Sequence, residues 1–138
     1  MKPGLELRAL RGATTASANT GAAITEAVAE LIEELLQRND LAGDRVLSVT
    51  FSVTSDLDAC FPAAIARHRG DWGRVALLDC QQMAVAGDLP RCIRLLAHAW
   101  MDASREVVHP YLRDAAQLRP DRSGAGHPAA PASSPADH

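Results

Sequence analysis

A mixed α/β domain, with helices packed on a mixed sheet, is the fold class this chain predicts, and three observations carry it. An apolar stripe at helical spacing runs from Ile24 to Leu36, and an alternating β-branched and aromatic run spans Arg45 to Val53. Short apolar segments punctuated by glycine and proline then follow one another without an internal repeat. At 138 residues the chain fits one domain, large enough to bury a core without disulfides or a structural metal.

Leu5 to Leu10 alternate as a short strand does, and the strand delivers Arg11 at its end before Gly12 breaks it. Ile24, Val28, Leu31, Ile32, Leu35 and Leu36 define one helix face, with Glu34 placed to pair with Arg38 and Asn19 or Thr20 available as the cap. After the turn residues Asn39, Asp40 and Gly43, Arg45 to Val53 reads as a strand. Asp56 to Asp58 can cap a turn, and Pro62 suits the first position of a short helix that carries Ile65 and Arg67 and ends by Gly70. Val75 to Leu78 reads as a short buried strand. Cys92 to Met101 satisfies helical and buried-strand patterns alike, so periodicity leaves it open. Glu106 to Leu118 mixes a short helix and strand around Pro110. From Pro120 to His138 the chain turns to Pro, Gly, Ala and Ser without apolar periodicity, which predicts a folded unit over residues 1–119 and a mobile tail over 120–138.

Composition narrows the function. A formal charge of −3 and a pI near 5.9 argue against a nucleic-acid partner, which calls for a basic face. Cys60, Cys80 and Cys92 are odd in number and lack a C-x-x-C spacing, so reduced thiols are expected rather than a disulfide framework or a zinc site. His68, His98, His109, His127 and His138 show no ligand spacing, and no metal or other cofactor is expected. No run approaches the roughly 18 apolar residues of a membrane span, and the start lacks a signal-peptide core, so a cytoplasmic protein without membrane contact is expected. No nucleophile elbow, phosphate-cradling glycine loop or dinucleotide fingerprint is present.

The informative residues are three arginines. They stand in Arg11-Gly12-Ala13-Thr14-Thr15, in Phe61-Pro62-Ala63-Ala64-Ile65-Ala66-Arg67 and in Arg91-Cys92-Ile93-Arg94. Guanidinium grips carboxylate through two parallel hydrogen bonds and keeps its charge when dehydrated, so together they predict a site for a small dianionic acid. Plainer readings exist: Arg11 can end a strand in solvent, Arg67 can be a solvated helix residue, and Tyr111 of Pro110-Tyr111-Leu112, a further candidate, can be a core aromatic. Arg94 is hardest to dismiss, because a charge inside an apolar run needs a partner.

The three contexts, in this order, resemble the AroH class of chorismate mutase, and the resemblance covers residues 5–121. It implies a strand over the ambiguous Cys92 to Met101, and a homotrimer arranged as a pseudo-α/β barrel with three clefts, each built by two chains. The activity it implies is the Claisen rearrangement of chorismate to prephenate, with no covalent intermediate and no proton transfer. Shape and fixed charge carry such a reaction. Arg94 matches the arginine at the ether oxygen and side-chain carboxylate. Arg11 and Tyr111 match residues holding the enolpyruvyl carboxylate, Arg67 matches one near the mouth, and Phe61 and Leu118 match apolar walls. Ala63, Ala64, Leu78 and Arg119 complete the implied substrate contacts.

Two departures bear on the chemistry. Where the family usually carries a cysteine and a glutamate, this chain has Asp79 and Gln82, and Ala64 stands where a lysine can occur. Gln82 can keep a hydrogen bond to the substrate hydroxyl but supplies no charge, while Asp79 can restore a carboxylate from another angle. The sequence therefore also admits a chorismate-processing dehydratase or lyase with Asp79 as acid or base, and a silent chorismate-binding homologue.

Overall fold

The computed structural model describes residues 4–118. The expected tail over 120–138, its boundary at 119/120 and Arg119 lie outside them. Among the described residues run four strands and two α-helices: β1 (Leu5–Thr15), α1 (Gly21–Arg38), β2 (Val46–Val53), α2 (Pro62–Arg67), β3 (Ala76–Gln81) and β4 (Cys92–Asp102).

The helix α1 forms as its periodicity predicts. Thr20 adopts the extended backbone of an N-cap and its hydroxyl accepts from the Ala23 amide at 3.1 Å. Glu34 and Arg38 pair at 2.6 Å across one turn. The apolar face, Ile24, Ala27, Val28, Leu31, Ile32, Leu35 and Leu36, is buried, each large side chain contributing about 1.5–3 kcal/mol of transfer free energy. At the far end buried Asn39 donates to the carbonyls of Leu35 and Val108 and accepts from the Val108 amide, tying the helix to the segment that leads to Tyr111.

The sheet runs β1-β4-β2-β3, with β4 antiparallel to both neighbours and β2 parallel to β3. The ambiguous segment is thus an inner strand, as the family resemblance implied. Pro62 opens α2, which crosses over between β2 and β3. Strand β3 is longer than Val75 to Leu78 and largely exposed, because it is an edge strand with one uncovered face. The segment after Pro110 forms a single bridge from Tyr111 to Ala13, followed by a 3-10 turn over Arg113–Gln117.

Gly12 does not break β1, which continues to Thr15. A Cβ there would stand 3.1 Å from the Pro110 carbonyl oxygen and 3.3 Å from Leu31 Cδ1. Glycine at this position lets the Pro110–Tyr111 segment lie against the strand, with Ala13 donating to Pro110 and accepting from Leu112.

Alternation and register divide the sheet into two faces. Leu10, Phe51 and Leu95 belong to the buried core with the α1 residues. Arg11, Arg94, Leu96, Thr50, Ser52, Leu78 and Cys80 point the opposite way, since they pair across the strands at alternate positions. No helix covers that second face among the described residues, and Leu7, Leu78 and Leu96 stand 50%, 58% and 41% exposed on it.

Candidate active site

Arg94 lies on the second face of β4, opposite Ala13 of β1 and Ser52 of β2. It is buried, with 8% of its surface exposed. Its Nη2 donates to Asp88 Oδ1 at 3.2 Å, while Nε and Nη1 have no hydrogen-bond partner among the described residues. Desolvated N–H groups without acceptors are expensive, about 1–3 kcal/mol each and more on a charged group. Such a guanidinium has donors left over for an acceptor such as a carboxylate.

The remaining predicted residues fall into two groups. Around Arg94, Tyr111 packs with Ala13 and Ala115, and Leu89 and Leu118 close that apolar cluster. Arg11 sits one step along β1, opposite Leu96, which puts its Cβ diagonal to Arg94 at about 7 Å. Its own amide donates to His109 Nδ1. Gln82 follows β3, and its Oε1 accepts from the Ser52 hydroxyl at 2.8 Å, so it joins the Arg94 face through Ser52.

The second group lies at the β3 edge. Phe61, 70% exposed, precedes α2, Ala63 is buried on that helix, Ala64 is half-buried and Arg67 is exposed at its end. Leu78 projects from β3 on the uncovered face. Asp79 pairs with Phe51 and so faces the α2 side of the sheet, away from Arg94. Its Oδ1 accepts from the Ala63 amide at 2.9 Å. Within one chain it does not place a carboxylate beside Arg94. Burial raises the Asp79 pKa, opposed by the Ala63 hydrogen bond and the nearby Arg67 charge. Burial also raises Cys60, helped by Asp79, and lifts the Cys92 thiol to about 11, so neither is an activated nucleophile.

Reading the sequence missed Asp88. Gly87-Asp88 looks like turn punctuation, yet Asp88 is the ion-pair partner of Arg94, and its Oδ2 is buried without a partner among the described residues. The available signal was a carboxylate in the loop six residues ahead of a charge in an apolar run. Arg91, although part of the arginine motif, is structural. Its φ of 49° is held by its amide, which donates to Asp56 Oδ2, and by its guanidinium Nε, which donates to the Ala16 carbonyl. Asp56 resists burial and keeps a lowered pKa through bonds from the Thr54 hydroxyl and the Arg91 amide.

Two cavities flank Asp88. One of about 360 Å³ is lined by Gln82, Met83, Val85, Asp88 and Leu89 among others, and one of about 260 Å³ by Asp88, Leu89 and Leu118 among others. A larger one, about 520 Å³, lies where Asn39, Arg45 and Trp100 meet and touches none of the predicted site residues. Among the described residues no cluster of three or more His, Cys, Asp or Glu could hold a metal, and no helix is long and apolar enough to cross a membrane.

Comparison with known proteins fits this geometry. Residues 7–122 match the family described as chorismate mutase type I. The chain is 41% identical over 121 residues to chorismate mutase AroH of Thermus thermophilus, covering 86% of this chain and 98% of that protein. It is 34% identical over 118 residues to the Bacillus subtilis chorismate mutase AroH, covering 85% and 93%. A solved chorismate mutase from Clostridium thermocellum superposes with a TM-score of 0.72 at 39% identity, covering 78% of this chain and 96% of that one. Arginine contexts, sheet order and these likenesses agree, and the chain belongs to the type I, AroH-class family of chorismate mutases.

Proposed function

We propose that this protein catalyses the rearrangement of chorismate to prephenate. The observation that carries the reading is Arg94: a buried cation whose Nε and Nη1 lack acceptors, beside a second arginine and a tyrosine. Chorismate is a dianion whose enolpyruvyl carboxylate and ether oxygen both accept hydrogen bonds. Arg94 donates to the ether oxygen and the side-chain carboxylate, and Arg11 and Tyr111 hold that carboxylate so that the enolpyruvyl group stays folded over the ring.

In that conformer one cyclic movement of six electrons breaks the ether C–O bond and forms the new C–C bond. No proton moves and no group leaves. Negative charge grows on the ether oxygen as the bond stretches, so a fixed cation there binds the transition state more strongly than the substrate. Holding the reactive conformer removes much of the entropic part of the barrier. Elimination of the ring hydroxyl is not favoured, since the Asp79 carboxylate is held by the Ala63 amide.

The finer part of the proposal is the assembly. Arg94, Arg11, Gln82, Tyr111 and Leu118 form one half of the cleft, and Phe61, Ala63, Ala64, Arg67, Leu78 and Asp79 form the other half, contributed by a neighbouring chain. The apolar side chains left open on the second face support a homotrimer, which would cover them. We place the trimer in the cytoplasm, where a soluble dianionic substrate is available. The functional test is to add chorismate to purified protein and follow loss of its ultraviolet absorbance. Consumption proportional to protein and unaffected by a metal chelator is expected; unchanged chorismate at micromolar protein would overturn the reading.

A further inference from the structure

Three unpaired, buried polar atoms belong to one ion pair here: Asp88 Oδ2, Arg94 Nε and Arg94 Nη1. Natural proteins leave few such atoms, and a set on two oppositely charged, paired groups calls for one polar ligand that both donates and accepts. Arg94 accounts for the accepting half of that ligand. For the donating half the family resemblance offered only neutral Gln82, and no charged acceptor has been assigned to it.

Asp88 is placed to take it. Its Oδ1 is used, accepting from Arg94 Nη2 at 3.2 Å and from the Leu89 amide at 2.8 Å, which fixes the carboxylate plane. Its Oδ2 is unused. The other carboxylate considered for this task, Asp79, belongs to the half contributed by the neighbouring chain, and its Oδ1 is committed to the Ala63 amide there. Gln82 is neutral, and its oxygen already accepts from Ser52. Asp88 also sits where both neighbouring cavities meet, in an irregular loop over residues 82–91 that can shift without unfolding a helix or strand.

We propose that Asp88 supplies the site's carboxylate: Oδ1 fixes the Arg94 guanidinium, and Oδ2 accepts a hydrogen bond from the ring hydroxyl of the substrate. This rests on the chorismate reading, since it assigns that substrate's remaining donor. The charge has a second consequence. As the ether bond breaks the ring becomes electron-poor, and a carboxylate on the ring side with a guanidinium on the oxygen side matches the developing dipole. The pair thus acts in the transition state more than in the ground state, so its loss should appear mainly in kcat.

The test compares wild type, Asp88→Asn and Asp88→Ala on chorismate and on its analogue lacking the ring hydroxyl, with melting curves to establish that each variant is folded. For chorismate, Asp88→Ala should lower kcat/KM by about 10- to 100-fold, as expected for a lost charge-assisted hydrogen bond. Asp88→Asn, which keeps the shape without the charge, should fall between, with the loss in kcat. Wild type should discriminate against the deoxy analogue by a similar factor, and Asp88→Ala should not. Full discrimination in a folded Asp88→Ala enzyme, or chorismate turnover at the wild-type rate, would overturn the assignment while leaving the mutase reading intact. A wild-type enzyme that makes no prephenate would overturn both.

Discussion

Replacing Arg94 with alanine perturbs the site most directly, and the size of the effect can be worked from its surroundings. Two guanidinium nitrogens are buried without acceptors, and each donor aimed at a developing oxyanion is worth about 10²–10³ in rate. Because both belong to one group they will not act independently, so kcat should fall by at least about 10³-fold. Stability should change much less. Truncation strips Asp88 of its partner, an effect of about 3–5 kcal/mol for a buried pair, but it also removes the unpaired donors, which destabilise the fold by about 1–3 kcal/mol each. The two contributions oppose each other. Arg94→Lys keeps a charge without the planar fork and should lie between the alanine variant and wild type. Continuous assay of chorismate loss, resolved into kcat and KM, with circular dichroism to check folding, measures all three. An Arg94→Ala protein that is folded and within about tenfold of wild-type kcat would refute the placement of this cation at the breaking bond.

Gly12→Ala would press a methyl group against the Pro110 oxygen at 3.1 Å and Leu31 Cδ1 at 3.3 Å. It should destabilise by about 1–3 kcal/mol and raise KM by displacing Tyr111, read by chemical denaturation and steady-state kinetics. Because the folded-state pKa of Asp79 is raised, its native form binds the proton more tightly than the unfolded chain. That favours the fold below the ordinary carboxylate range, and the advantage is lost as pH rises through the raised value. Asp79→Asn should flatten this dependence, keep the bond to Ala63 and be no less stable than wild type at pH 7, whereas Asp79→Ala should lose about 0.5–2 kcal/mol. If the cleft is shared between chains, refolding Arg94→Ala together with Phe61→Glu, each inactive alone, should restore about a quarter of wild-type activity, because random mixing re-creates intact clefts. Halves drawn from a single chain would restore none.

The elements read correctly from residues alone were those whose pattern is local. The α1 stripe, the Thr20 cap and the Glu34–Arg38 pair depend only on spacing along one helix. Cys92 to Met101 stayed open because inner-strand burial removes the alternation that distinguishes strand from helix, and Leu, Ala, Met and Arg favour helix intrinsically. Gly12 was misread as a break because its reason for being glycine is Pro110, nearly a hundred residues away. The site divided similarly. Arg94 announced itself as a charge in an apolar run, but the face Asp79 occupies follows from the register of β3 on β2, and a one-residue shift would reverse it. Asp88 was hidden because a loop carries no periodicity and only the fold brings it to Arg94.

The central claim is that fixed charges and shape carry a rearrangement in which no proton moves. It is tested most directly by running the reaction with purified enzyme in water and in D2O and identifying the product by NMR. The account predicts prephenate as the product and the same kcat in both solvents. An aromatic product that retains the enolpyruvyl ether, or a severalfold slower reaction in D2O, would contradict it.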